Sequence, residues 1–335
     1  MEKKLISHSK PTLDSNDLNQ INNLFESKMI SAGEINLKFR IELSKYLNKD
    51  YISLFSSGSS ALFHILKALN LDNKKEILIP NYICESVIKS IYLAGLTPVL
   101  YDNKPNSWIS STDIIKNLIN ENTGAIIINH TYGIIFKGIK ELSLLKIPII
   151  EDCCHSFSPS IGNEIISKYS ICSFYSFDPT KWLTSGNGGA VASNNEYLIN
   201  EIESIKVDNG LSDINCSLGI SQLSKIEKFK SKRNEIAYEY FKEMPFITKE
   251  LASYNSCYFR FPIIVNNSNS FLASKKVAFK KGVDSLLNTK YPSNSDLINS
   301  KRVFDKTISI PIYPSLTTKM IDTIINEIKY IYNEY

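Results

Sequence analysis

The chain lacks the marks of several protein classes. Among its 335 residues no run approaches the ~20 apolar residues that a membrane helix requires, and the opening residues, Met1 to His8, hold no apolar core of signal-peptide length. No membrane association is expected, and the expected compartment is the cytoplasm. Six cysteines, at 84, 153, 154, 172, 216 and 257, include no Cys-x-x-Cys pair, so a metal site is not expected and reduced thiols are the default. The adjacent Cys153 and Cys154 could bridge each other only with strain. The 38 Lys and Arg are dispersed and nearly offset by 34 Asp and Glu, giving a mild net charge of +4. No basic stripe with interleaved aromatics argues for nucleic acid. Internal repeats are absent, and Asn266 to Ser270 reads as a polar loop rather than a linker between modules.

What is present is enough apolar residue, 43% of the chain, for a large core in one big domain plus a smaller one. Strand-like runs near 51–55, 76–79, 97–101, 124–129, 147–151, 171–177 and 189–193 alternate with helical patterns at 15–28, 35–47, 59–70, 84–94, 112–120, 196–206 and 214–242. Such alternation predicts an α/β fold, with a mostly parallel sheet covered by helices on both faces. Beyond Met244 the pattern changes to a strand over 258–265, a helix around 270–282 and a terminal helix from about 317. The expected division is a large domain over 1–243 and a small α+β domain over 244–335.

Three segments carry chemistry. The first is Ile171 to Phe177, rich in β-branched and aromatic residues, ended by Asp178-Pro179 and followed by Lys181 and the glycines 186, 188 and 189. It presents a lysine at a strand end, where an amine can form a Schiff base with an aldehyde cofactor. The second, Ile147 to Ile150 followed by Glu151, Asp152 and later His155, delivers a carboxylate to a strand end, suited to an ionic hydrogen bond with a protonated pyridine nitrogen. An acid pair there would also serve as a helix cap. The third, Tyr51 to Leu69, is a strand, a Ser/Gly turn and a helix, so free N–H groups converge near Gly58, Ser59 and Ser60. Ser57 or Ser59 could equally cap that helix.

Taken together these segments resemble the DegT/DnrJ/EryC1/StrS family, enzymes of pyridoxal phosphate (PLP) transferase fold type I that aminate nucleotide-linked keto-sugars. Ser57-Gly58-Ser59-Ser60-Ala61-Leu62 is similar to the family's phosphate loop, and Glu151-Asp152-Cys153-Cys154-His155-Ser156 to its acid box. Ser176-Phe177-Asp178-Pro179-Thr180-Lys181, with Gly186-Asn187-Gly188-Gly189, is similar to its lysine signature. Weaker collinear echoes, such as Ile79-Pro80-Asn81-Tyr82 and Ile128 to Gly133, extend the likeness over nearly the whole chain.

The resemblance implies a large domain with a mostly parallel seven-stranded sheet, and an aminotransferase using PLP, glutamate as amino donor and a 3- or 4-keto nucleotide sugar as acceptor. By it, Lys181 bonds the cofactor and shuttles the proton, Asp152 pairs with the ring nitrogen and His155 lies near the phenolic oxygen. Gly58, Ser59, Ser60 and Ser176 would hold the phosphate. Where the family stacks an aromatic residue on the ring, this chain has Cys84, with Tyr82 the nearest substitute. A homodimer is implied, with Asn209 reaching the partner's phosphate. Departures stand at Asp178 for the usual His, Asn187 for the usual acid, and Asp208-Asn209-Gly210 where an arginine is common. They leave open a PLP enzyme of another reaction type, such as a decarboxylase, or a non-catalytic binding protein on the same scaffold. A sugar dehydratase of the family would carry His in place of Lys181.

Overall fold

The computed structural model describes residues 5–71, 74–207, 210–293 and 296–334. Two helices, α1 (Ser15–Ser27) and α2 (Glu34–Leu47), precede strand β1 (Tyr51–Phe55) and helix α3 (Gly58–Ala68). There follow β2 (Glu76–Pro80), α4 (Glu85–Leu93), β3 (Thr97–Tyr101), α5 (Thr112–Lys116), β4 (Thr123–Asn129), α6 (Ile139–Ser143) and β5 (Ile149–Asp152). A small hairpin, β6 (Ser160–Ile161) and β7 (Glu164–Ile165), leads to β8 (Cys172–Ser176), β9 (Gly189–Ser193) and α7 (Glu196–Ser204).

These strands make a seven-stranded sheet in the order β1-β9-β8-β5-β4-β2-β3. Only β9 runs against its neighbours, so the sheet is mostly parallel, as the alternation of strands and helices predicts. Both faces are buried, which is why the strands read as continuous apolar runs. In β1, Tyr51 and Phe55 face the side of α3, α4 and α7, while Ile52 and Leu54 pack with Phe39 and Leu43 of α2. In β4, Ala125 and Ile127 point one way and Ile126 and Ile128 the other.

The helical pattern over 214–242 is two helices, α8 (Asp213–Leu223) and α9 (Ile226–Glu243). Ser224 and Lys225 break it: Lys225 leaves helical geometry and its ammonium turns to Asp17 and Asp14 beside α1. Beyond lie α10 (Pro245–Ala252), β10 (Phe261–Ile264), α11 (Ser268–Leu272), α12 (Ile298–Lys306), β11 (Thr307–Ile310) and α13 (Thr318–Glu334). The antiparallel pair β10 and β11 packs with α13 in a cluster that also takes Ile236 and Tyr240 of α9, and Tyr82, Trp108 and Tyr132.

The helix expected around 270–282 ends at Leu272. Residues 276–280 are instead pinned as extended chain: Ala278 N–H donates to the Ile6 carbonyl at 2.8 Å, and Lys280 bridges to Ser309. Val277 and Phe279 are buried while Lys280 is exposed, the alternation of a strand rather than a helix.

Candidate active site

The carboxyl ends of the parallel strands converge on one cavity of about 400 Å³. An open α/β sheet binds ligands at this edge. Gly58, Ser59, Tyr82, Cys84, Asp152, His155, Ser176 and Lys181 all line it. Ser60 does not: its N–H is taken by Ser57 Oγ at 3.1 Å, so Ser57 caps α3 and the N–H groups of Gly58 and Ser59 are left at the helix mouth. Asn209, expected to cross to a partner, lies outside the described residues.

The phosphate-loop turn is shaped by close packing. A Cβ on Gly189 would lie 2.5 Å from the Ser57 carbonyl oxygen, so the strand must be bare there for the turn to cross it. The Ser176 hydroxyl, at the end of β8, is buried with no hydrogen-bond partner. An orphaned hydroxyl facing two free N–H groups and a positive helix end is a built anion cradle.

Asp152 closes β5. One carboxylate oxygen accepts the Cys154 N–H at 3.0 Å, and the acid faces the cavity. Its neighbour Glu151, one residue earlier on the strand, points the opposite way and accepts from His130 Nε2 at 3.0 Å and from Ser167 N–H at 3.1 Å. The acid pair is therefore not a helix cap but an inward and an outward residue of one strand. His130, Glu151 and Cys153 have ligand atoms within 4.8 Å of one another. His130 Nδ1 accepts the Phe136 N–H and Nε2 donates to Glu151, so neither ring nitrogen is open to an ion.

Lys181 closes a turn, its backbone N–H donating to the Asp178 carbonyl at 3.0 Å, and its ammonium lies 5.6 Å from the Phe259 ring centre. His155 stacks on the same ring, 4.3 Å between centroids at 20°. Its Nδ1 accepts the Tyr132 N–H at 3.3 Å, which leaves Nε2 as the protonated nitrogen of a neutral ring. Burial, with the Lys181 and Arg260 charges, holds the imidazole well below its usual pKa. Tyr132 keeps a left-handed backbone (φ 61°) to make this bond, and its hydroxyl meets that of Tyr82 at 2.7 Å. Cys84 is exposed, and all six cysteines are free thiols. Burial pushes the Cys154 thiol well up, so it is no nucleophile.

Arg260, which also lines the cavity, is the residue the sequence did not disclose. Nothing in Tyr258-Phe-Arg-Phe261 distinguishes a cavity arginine from a surface one. The groups present fit a cofactor that carries a phosphate, an aldehyde and a ring nitrogen, because cradle, amine and carboxylate open onto one chamber.

Comparison with known proteins agrees with that fit. The UDP-4-amino-4,6-dideoxy-N-acetyl-beta-L-altrosamine transaminase of Campylobacter jejuni serotype O:2 is 28% identical over 262 residues, 71% of this chain and 69% of that protein. Helicobacter pylori PseC, an aminotransferase involved in the biosynthesis of pseudoaminic acid, superposes with a TM-score of 0.90 at 21% identity, covering 99% of this chain and 100% of that one. The PLP form of Spr1654 of Streptococcus pneumoniae gives a TM-score of 0.88 at 18% identity, with 99% of each chain covered. Among the described residues no helix is long and apolar enough to cross a membrane. The family model for DegT/DnrJ/EryC1/StrS aminotransferases matches residues 11–329, and the chain belongs to that family of PLP-dependent enzymes.

Proposed function

We propose that the chain moves an amino group from L-glutamate to a nucleotide-linked 3- or 4-keto-6-deoxy sugar, in the cytoplasm, for surface polysaccharide or related sugar synthesis. The observation that carries this reading is the convergence of Lys181, Asp152 and the mouth of α3 on one cavity. The UDP-linked amino sugar in the name of the Campylobacter transaminase supports a nucleotide sugar as acceptor.

When bound, PLP supplies an aldehyde carbon for the amino group and a ring that accepts the electrons left by a departing α-proton. Gly58 and Ser59 N–H groups and Ser176 Oγ would hold its phosphate. Asp152 would accept a hydrogen bond from the ring nitrogen and so keep that nitrogen protonated. Lys181 Nζ would take up and release the α-proton of the donor, general acid–base work that contributes about 10²–10⁴-fold. His155, held neutral, would offer its Nε2–H to the phenolic oxygen. Tyr82 and Cys84 wall the space beside the ring.

The proposed enzyme is a homodimer. Exposed Leu37, which lines the groove of Ala32, Arg40 and Lys206, with exposed Met29, Ile30 and Val207 close to its lining residues in the chain, supports a second copy there. Mass spectrometry of the PLP-loaded protein with glutamate and a panel of keto nucleotide sugars tests the function. An aminated sugar with 2-oxoglutarate is the expected product. A protein that binds PLP yet aminates none of the panel refutes the reading.

A further inference from the structure

Tyr132 sits in the turn Thr131–Gly133 beyond the carboxyl end of β4, with φ 61° and ψ 4°. The left-handed region is costly for a bulky side chain, and such strain persists only where the surroundings over-determine it. Lys28 and Asn48 adopt it too, but each closes a helix at the surface. Tyr132 is buried, and its turn abuts the cavity through Thr131 and His155.

The residue is held on every side. Its carbonyl accepts the Arg260 N–H at 3.2 Å and the Gly133 carbonyl accepts the Cys257 N–H at 3.0 Å, so the chain leading into β10 braces the turn. The Tyr132 ring lies edge-on to Trp108, 6.1 Å between centroids, and its hydroxyl meets that of Tyr82 at 2.7 Å. Gly282 passes so close that a Cβ there would overlap this hydroxyl. With side chain and carbonyl both anchored, φ decides where the N–H points. It points at His155 Nδ1, 3.3 Å away.

We infer that Tyr132 is a positioning residue that selects the tautomer of His155, an assignment that rests on the reading of His155 as the group beside the cofactor's phenolic oxygen. A neutral imidazole has one donor and one acceptor nitrogen. The Tyr132 N–H can only donate, so the nitrogen it meets has to accept and the ring proton goes to Nε2. In the other tautomer Nδ1–H would confront the Tyr132 N–H, and the Nε2 lone pair would face the phenolic oxygen and repel it. The stack on Phe259 sets the plane of the imidazole, and the Tyr132 N–H sets which edge carries the proton. The strain at Tyr132 thereby fixes the donor that the cofactor meets.

The test is nitrogen-15 NMR of the histidine-labelled protein, whose four histidines are few enough to read one by one. The His155 signals are identified by their loss in His155→Gln. At about pH 8, above the histidine range, wild type should carry the His155 proton on Nε2. Tyr132→Gly and Tyr132→Val both delete the ring, but glycine adopts a left-handed φ freely and valine resists it. Tyr132→Gly should keep the Nε2–H form. In Tyr132→Val the ratio of Nε2–H to Nδ1–H should fall by about 2- to 10-fold, the worth of one hydrogen bond, and PLP affinity should fall with it. If Tyr132→Val matches Tyr132→Gly, the inference is wrong. Wild type with its proton on Nδ1 also overturns it, and that spectrum needs no variant to fold. If the tautomer follows the backbone at 132 but the Nε2 signal does not move when PLP is added, the phenolic-oxygen reading of His155 fails and the role of Tyr132 stands.

Discussion

Gly58 and Ser176 approach so closely that a Cβ on Gly58 would lie 3.1 Å from the Ser176 Cβ and 3.3 Å from the Tyr175 carbonyl oxygen. The mouth of α3 and the end of β8 therefore meet at the anion cradle, and a bare Cα keeps it open. Gly58→Ala should crowd the Ser176 hydroxyl and lower PLP affinity by at least about tenfold. Ser176→Ala removes one hydrogen bond and should cost about 2- to 10-fold. Fluorescence titration of the apo-protein with PLP measures both. Affinities equal to wild type in both variants would place the phosphate elsewhere.

Asp152→Asn should keep PLP and lose turnover, because an amide at the end of β5 cannot hold the ring nitrogen protonated. The charge-assisted bond is worth roughly 1.5–3 kcal/mol, or about one to two decades in rate if all of it acts in the transition state. The Cys154 N–H bond to this side chain can be made by the amide oxygen, so the fold should persist. Steady-state turnover within a factor of two of wild type would refute the role.

Much of the sheet was legible in the sequence because buried parallel strands must be apolar on both faces, as Ile126 to Ile128 are. The strand-end positions of Lys181 and Asp152 followed from the same runs. What the sequence hid were features fixed by distant partners. The stretch around Val277 is extended because Ile6 and Ser309 bond it, from far along the chain. The break at Lys225 follows its ion pairs with Asp14 and Asp17, which helical periodicity does not record. Ser60 matched a motif position, yet its N–H is consumed by the cap of Ser57, a choice between two uses of the same donors that only geometry decides. Arg260 gives no local signal at all, since the fold alone brings it to the cavity.

Two histidines, His8 buried and His155 half-buried, give the fold a dependence on pH. Burial is the first cause that holds His155 and His8 well below their usual pKa, with the Arg260 charge acting on both. In the unfolded chain they titrate near ~6.5. Above that pH neither state is protonated and the groups contribute no slope. Below it the unfolded chain binds protons that the folded one refuses, so stability is lost as pH falls, by up to about 1.4 kcal/mol per pH unit for each group. Denaturant midpoints between pH 7 and 5 should fall, and less steeply in the variant that combines His155→Gln with His8→Gln. Identical slopes in the two proteins would mean that other groups govern the acid limb.

Lys181→Ala separates catalysis from binding at this site. The substitution removes the amine that would bond the cofactor aldehyde and the base that would carry the α-proton, but it leaves the cradle at Gly58 and Ser176 and the Asp152 carboxylate in place. Among the described residues the side chain makes no hydrogen bond or ion pair; it lies by the Phe259 ring, an interaction of about 0.5–1 kcal/mol at exposed sites. The variant should therefore fold, bind the aminated cofactor and hold a keto-sugar as a stalled complex, with turnover reduced by at least about 10²-fold. Borohydride should attach PLP to Lys181 in wild type and find no such site in the variant. A Lys181→Ala protein that transaminated glutamate near the wild-type rate would move the proton transfer to another residue. The nearby His155, held neutral by burial and two cations, would then be the next group to remove.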